Sequence, residues 1–227
     1  MTLRTRRIIA FLVSLATLAV VVYTTIPKTT PVAQPVVANQ QGGPAMTALA
    51  KLAIKGRAPQ TGYSREQFGN GWSTTNGCDT RDIILNRDLQ QVVTNAKCQI
   101  TKGVLNDPYT GKVISFLRGG TSSSAVQIDH VVALGDAWQK GAQLLAKTIR
   151  VQLANDPLEL LAVDGPSNQQ KSDADAATWL PPNKSFRCEY VARQIAVKIK
   201  YTLWVTQSEH DAMVSVLNTC PAQTVPA

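Results

Sequence analysis

An aspartate and a histidine stand side by side inside an otherwise apolar, β-branched run, Gln127-Ile128-Asp129-His130-Val131-Val132-Ala133-Leu134. Val and Ile suit a pleated, covered surface, so Val126 to Leu134 reads as a short buried strand. Two ionisable side chains in such a run cost free energy unless partners satisfy them. The chain has only two histidines, and the second, His210, lies in a polar segment, Gln207-Ser208-Glu209-His210-Asp211. A core histidine bonded to a backbone carbonyl meets the constraint. So does a functional site, and a second polar cluster favours the site.

That cluster follows another apolar, strand-like run, Leu158 to Val163, which ends at the turn signal Asp164-Gly165-Pro166. A dense set of polar side chains comes next, Ser167-Asn168-Gln169-Gln170-Lys171-Ser172-Asp173, leading into Ala174-Asp175-Ala176-Ala177 as a helix start. A strand with Asp-His, a loop, a strand, a turn and an Asn-bearing helix start follow the order of a ββα-metal site.

Three stretches carry a resemblance to a known family. They are QIDHVVALGDAWQKGA (127–142), NDPLELLAVDGPSNQQKSDADAATWLPPN (155–183) and, upstream, LNDPYTGKVISFLRG (105–119). On these the chain resembles the secreted bacterial HNH-type endonucleases related to the nuclease domain of GmrSD-type restriction enzymes. The resemblance implies an α+β fold with a ββα-metal (HNH, or His-Me finger) core over about 126–177, with helices around it. It implies a metal-dependent endonuclease in which His130 is the general base and Asp129 and Asn168 are the metal ligands. The cofactor is then one divalent cation, Mg²⁺ first and Mn²⁺ second, and the substrate a nucleic acid, DNA before RNA.

The chemistry fits those residue types. A neutral imidazole can deprotonate a water near pH 7, and a hard cation on oxygen ligands can neutralise charge on the phosphoryl oxygens. Lys171, one helical turn beyond Asn168, and Arg118, which closes the upstream stretch, are the candidate phosphate contacts. A solvated lysine and an edge charge are their plainer readings. The chain departs from the family in two places. Glu159 stands where an Asn commonly braces the loop carrying the base, and Asn168 replaces the final His. An ionised Glu accepts hydrogen bonds but donates none, so it either weakens the bracing or adds a metal ligand. Two other functions stay open: a catalytically silent, disulfide-stabilised binding module, and a hydrolase of another phosphodiester.

The remainder of the chain sets the context. Arg4, Arg6 and Arg7 precede an apolar run from Ile8 to Tyr23, so residues 1–26 read as a signal peptide or signal anchor. Residues 27–46, rich in Pro, Gln, Thr and Gly, read as a flexible linker, and 47–227 as one nuclease domain. The protein is therefore expected to be exported, either secreted or held on the outer face of the cytoplasmic membrane, and to act as a monomer. Net charge is +8, half of it from Arg4, Arg6, Arg7 and Lys28, and this permits a polyanion partner without requiring one. Four cysteines in an exported chain make disulfides the default, and Cys78–Cys98 with Cys188–Cys220 is the most economical pairing. No short Cys-x-x-Cys spacing supports a zinc site.

Elsewhere the pattern predicts helices over Ala45–Ile54, Leu134–Ala146, Cys188–Leu203 and Ser208–Leu217, the last with Ser208 as cap. A hairpin is predicted over Gln99–Leu117. The basic face of the Cys188–Leu203 helix is either solvated or the wall of a nucleic-acid groove. Trp138 and Trp179 are assigned to the core.

Overall fold

The computed structural model describes residues 44–119 and 121–226. The expected leader, and most of the linker, lie outside the described residues. Among those described, no helix is long and apolar enough to cross a membrane.

The chain folds as a mixed α+β unit whose elements follow in order. Helix α1 (Pro44–Leu49) buries Ala45, Met46, Ala48 and Leu49, and is shorter than its pattern predicts. An irregular stretch then leads to a two-residue ladder, β1 (Thr74–Thr75) with β2 (Cys78–Asp79). Helix α2 (Thr80–Asp88) follows, capped by Asp79, whose carboxylate accepts from the Asp82 N–H. Strands β3 (Leu89–Thr94), β4 (Ile100–Asn106) and β5 (Val113–Leu117) form an antiparallel sheet in that order. The predicted hairpin is its β4–β5 half. The polar strand β3 is an addition that no alternation in Leu89-Gln90-Gln91-Val92-Val93-Thr94 announces.

Strand β6 (Val126–His130) pairs antiparallel with β7 (Leu160–Asp164), with Asp129 opposite Leu161 and His130 opposite Leu160. Between them run α3 (Leu134–Gln139) and α4 (Lys147–Asn155). Strand β6 is shorter than the apolar run, because Val131 to Ala133 bend into α3 while staying buried. The single helix expected over Leu134–Ala146 breaks at Gly141, which has φ 121° and lies against the Trp204 indole. Only a glycine takes that conformation readily.

Helix α5 (Gly165–Lys171) begins directly after β7, earlier than the Ala174–Ala177 start that the sequence suggests. Asp164 causes this, since its carboxylate accepts from both the N–H and the hydroxyl of Ser167, and Pro166 suits a first turn. Two longer helices complete the fold. Helix α6 (Arg187–Lys200) keeps its predicted span nearly unchanged. Helix α7 (Gln207–Leu217) is capped by Thr206 rather than Ser208, in a capping box with Glu209. Disulfides join Cys78 to Cys98 and Cys188 to Cys220, as the economical pairing predicts.

Alternation along the β6–β7 ladder divides the interior. Val126, Ile128, Leu160 and Ala162 face a smaller core with α2 and the β3–β5 sheet. Leu161 and Val163 face the larger one, built on α1, α3, α6 and α7 and containing Trp138. The Asp-His strand is therefore the partition between two cores.

Gly165 fixes where α5 meets that partition. A Cβ there would lie 2.1 Å from the Ser124 carbonyl oxygen, a backbone atom that cannot step aside. Gly165→Ala is expected to destabilise by roughly 1–3 kcal/mol, the range for overpacking. Urea unfolding checks this, and an unchanged midpoint would show that α5 is not seated by that contact.

Candidate active site

Asp129 and His130 are neighbours on a strand and so emerge on opposite faces. Each meets its own set of partners. On one face the Asp129 carboxylate, 5% exposed, takes the Lys171 ammonium on Oδ1 at 2.9 Å and the Tyr109 hydroxyl on Oδ2. Tyr109 comes from the loop joining β4 to β5 and is fully buried. Lys171, at the end of α5, also donates to the His130 carbonyl at 2.7 Å. Burial pushes the Asp129 carboxyl up from its ordinary range, and Lys171 and Tyr109 oppose that rise.

On the other face the His130 ring stacks on the Trp72 indole, with centroids 5.7 Å apart and planes 12° from parallel. Its Nε2 lies 3.0 Å from the Ala154 carbonyl oxygen. A carbonyl only accepts, so Nε2 carries the proton and the neutral ring keeps its lone pair on Nδ1. Burial lowers the imidazole pKa from 6.5 to about 3, with the Ala154 carbonyl opposing and the positive charges of Arg65 and Lys171 adding to the fall. The backbone partner expected of a core histidine is present, and one ring nitrogen remains.

The turn after His130 is braced by Glu159. Its backbone carbonyl accepts from the Val131 N–H at 2.9 Å, and its Oε2 accepts from the Val132 N–H at 3.2 Å. The glutamate thus supplies the bracing its substitution for Asn had put in question. It is fully buried, burial raises its carboxyl well above the usual range, and it borders neither cavity at the site. Gln194 holds the same turn through the Val131 carbonyl at 2.8 Å.

A polar cleft of about 330 Å³ opens over this strand end, its walls including Tyr63, Arg65, Gln127, Asp129, His130, Asn168 and Asp173. A smaller cavity of about 140 Å³, bordered by Phe68, Trp72 and Leu134, adjoins it through Arg65 and His130. Asn168, on α5, donates its amide to Gln127 Oε1 at 2.9 Å, which leaves its own Oδ1 as the unshared oxygen. Asp129, His130 and Asn168 thus meet on one cleft. Lys171 is 1% exposed and lies beneath it, holding Asp129 and the His130 backbone. Arg118 lies elsewhere, with its guanidinium on Asp82 and on the Ile100 carbonyl. His210, beside Asp211 on α7, borders neither cavity.

The cleft's donor set is oxygen-based, as a hard cation requires: the Asp129 carboxylate and the Asn168 amide carbonyl. Among the described residues no three His, Cys, Asp or Glu side chains cluster to hold a metal. Mg²⁺ does not need such a cluster, because water and substrate phosphate commonly complete its shell around one or two carboxylates. Ligating carboxylates are themselves usually hydrogen-bonded, so the contacts to Tyr109 and Lys171 leave Asp129 able to ligate. The two residues fit a weak site.

Sequence reasoning missed three participants. Tyr109 falls inside the predicted Gln99–Leu117 hairpin without being singled out, and nothing marked Trp72 or Arg65. None of these has a spacing signal, since each reaches the strand from a distant loop.

Comparison with known proteins places the chain in a nuclease-related family. The model of the GmrSD restriction endonuclease C-terminal domain matches residues 79–216, and the chain belongs to that family. It is also 39% identical over 179 residues to an uncharacterized secreted protein of Arthroderma benhamiae, covering 78% of this chain and 84% of that one. The secreted relative and the two disulfides agree with export.

The buried histidine gives a pH-dependent stability. Its folded pKa lies below its unfolded one, so its contribution is complete above pH 6.5 and is lost as the pH falls towards about 3. Wild type and His130→Gln are therefore expected to differ less at pH 5 than at pH 7, by about 2 kcal/mol. Urea unfolding at the two pH values measures the gap. A gap that stays constant would show a ring that titrates normally.

Proposed function

We propose that the protein is an exported, metal-dependent endonuclease that hydrolyses phosphodiester bonds in nucleic acid, DNA in the first place. One observation carries the reading. His130 is held by Nε2 and by Trp72, which leaves a neutral Nδ1 with no described partner, and the residue lines a cleft together with Asp129 and Asn168.

In this reading Nδ1 accepts a proton from the attacking water. Asp129 and Asn168 hold one divalent cation, Mg²⁺ or Mn²⁺. Such an ion, when bound, neutralises charge on the phosphoryl oxygens and stabilises the leaving oxygen. Tyr109 and Lys171 keep the Asp129 carboxylate in one orientation, and Glu159 keeps the turn behind the base from shifting. A pKa near 3 makes the resting ring a weak base. A phosphodiester brought beside it adds negative charge, which favours the protonated ring and strengthens the base when substrate is present. Attachment to the membrane through residues 1–26 remains part of the proposal, alongside release after cleavage.

A second reading has its own support. The Ala154 bond and the lowered pKa are what a purely structural histidine would show, and they suit a silent binding module on the same frame.

Plasmid DNA and RNA incubated with the purified full chain separate the two. Nicking in Mg²⁺ or Mn²⁺ that stops on chelation is expected. His130→Ala should slow it by a factor on the order of 10²–10⁴, the range for a positioned general base. His210→Ala should cut as wild type does. Asn168→Ala probes the cation most cleanly, because Asp129→Ala would also leave the Lys171 ammonium buried without its carboxylate. Asn168→Ala should raise the metal concentration needed. Undiminished cleavage by His130→Ala would remove the base from the mechanism, and binding without cleavage under every metal tried would favour the silent module.

A further inference from the structure

A cleft that receives a phosphodiester needs a cation to hold the phosphate, and the two cations that the sequence offers are both occupied. Lys171 is 1% exposed, with its ammonium between Asp129 and the His130 carbonyl. Arg118 is bound to Asp82 and Ile100 and borders neither cavity. Among the described residues lining the cleft, one side chain is positive, and it is Arg65.

Arg65 opens the short 3₁₀ turn Arg65–Phe68 and is exposed. Its side chain forms no ion pair or hydrogen bond with any described residue, although exposed Arg87 and Lys200 pair with the carboxylates of Asp88 and Asp156. It borders both cavities, which meet at His130, and its charge is felt by that ring. A guanidinium there presents a planar fork matched to two phosphate oxygens. It lies N-terminal to residues 79–216, which match the family model.

We infer that Arg65 is the phosphate-binding residue of the cleft, gripping the phosphodiester beside His130. The inference rests on the reading of the cleft as a phosphodiester site. Arg65 takes no part in proton transfer, and its removal leaves the hydrogen bonds of Asp129 and His130 untouched. Its loss should therefore weaken substrate binding and the salt dependence of that binding, while taking away one of the charges that lower the His130 pKa.

The test uses the full chain, with a fluorescent phosphorothioate oligonucleotide as a slowly cleaved probe and plasmid DNA as substrate. Arg65→Ala is expected to weaken probe binding roughly ten- to a hundredfold, as for loss of a charged hydrogen-bonding pair. The slope of log affinity against log salt should fall by about one phosphate contact. Arg65→Lys should recover part of the affinity, since the charge returns without the fork. The melting temperature should not move, because nothing described is bonded to the side chain.

The outcomes keep the two levels apart. If wild type cleaves and His130→Ala does not, while Arg65→Ala binds with the wild-type affinity and salt slope, the Arg65 assignment falls and the nuclease reading stands. If wild type cleaves nothing but binds the probe, and Arg65→Ala loses that binding with its melting temperature intact, the assignment stands and the nuclease reading falls. An Arg65→Ala that melts lower, with affinity lost only in proportion to unfolding, shows a structural role and overturns the assignment.

Discussion

The Lys171 ammonium, buried between Asp129 Oδ1 and the His130 carbonyl, is the contact on which the arrangement at the strand end depends. A carboxylate in an apolar strand with no partner would neutralise itself or expel the strand. With Lys171 on one oxygen and Tyr109 on the other, Asp129 becomes a junction of three elements: β6, the end of α5, and the β4–β5 loop. The same loop is fastened a second time. Asp107 accepts from the Asp164 N–H at 2.8 Å, and Asn183 donates to the Pro108 carbonyl at 3.0 Å. The polar residues that look like a liability in the sequence therefore specify how the sheet, hairpin and helix meet.

A second buried ionic assembly fixes the helices behind the cleft. Lys140 Nζ lies 2.7 Å from Asp136 Oδ1, 2.7 Å from Asp175 and 2.6 Å from Glu209. Lys198 Nζ lies 2.9 Å from Glu209, and Arg57 reaches both Asp136 and Asp175. The Asp136 Oδ1 contacts are ionic rather than hydrogen-bonded in geometry. Three carboxylates thus face three cations, with only Arg57 substantially exposed, and the charges balance where solvent does not reach. Such a set adds little net stability over an apolar core, but loss of a single member costs on the order of 3–5 kcal/mol. Its consequence here is positional. It joins α3, α6, α7 and the chain near residues 57 and 175, and the turn from His130 enters α3.

How much of this the sequence disclosed follows from the range of each interaction. The Asp-His strand, its partner β7, the β4–β5 hairpin and both disulfide pairings were legible because each leaves a local pattern of apolar alternation, turn residues or cysteine parity. Asp129 and His130 stood out as ionisable residues in an apolar run, Asn168 was named through the family resemblance, and the three share one cleft. What failed was charge assignment. Lys198, read as part of a basic helix face, is buried against Glu209, and Lys200 pairs with Asp156 at 2.6 Å. A helical wheel shows which side a residue lies on, not whether a distant acid awaits it there. Tyr109 and Trp72 were missed on the same ground, as partners brought in from loops.

The cleft is therefore built from two kinds of chain. Residues within the 79–216 match supply the histidine, the aspartate and the groups hydrogen-bonded to them. The opposite wall, with Tyr63, Arg65, Phe68 and Trp72, comes from the segment before it, whose only helical piece between α1 and β1 among the described residues is one short 3₁₀ turn. A segment with so little secondary structure must be held by side chains. Arg57 anchors one end through Asp136 and Asp175. In the middle, Arg150 donates to the Gln67 carbonyl at 2.9 Å and to its side chain at 2.8 Å. At the far end the Ser73 N–H donates to Asn155 Oδ1 at 2.8 Å. Arg150 and Asn155 both sit on α4, as does Ala154, whose carbonyl holds the His130 ring. One helix thus fixes the wall and orients the imidazole together. The spacing between Trp72 and His130 is set by α4 rather than by the loop, which is how an irregular segment can present Trp72 and Arg65 to a rigid strand end.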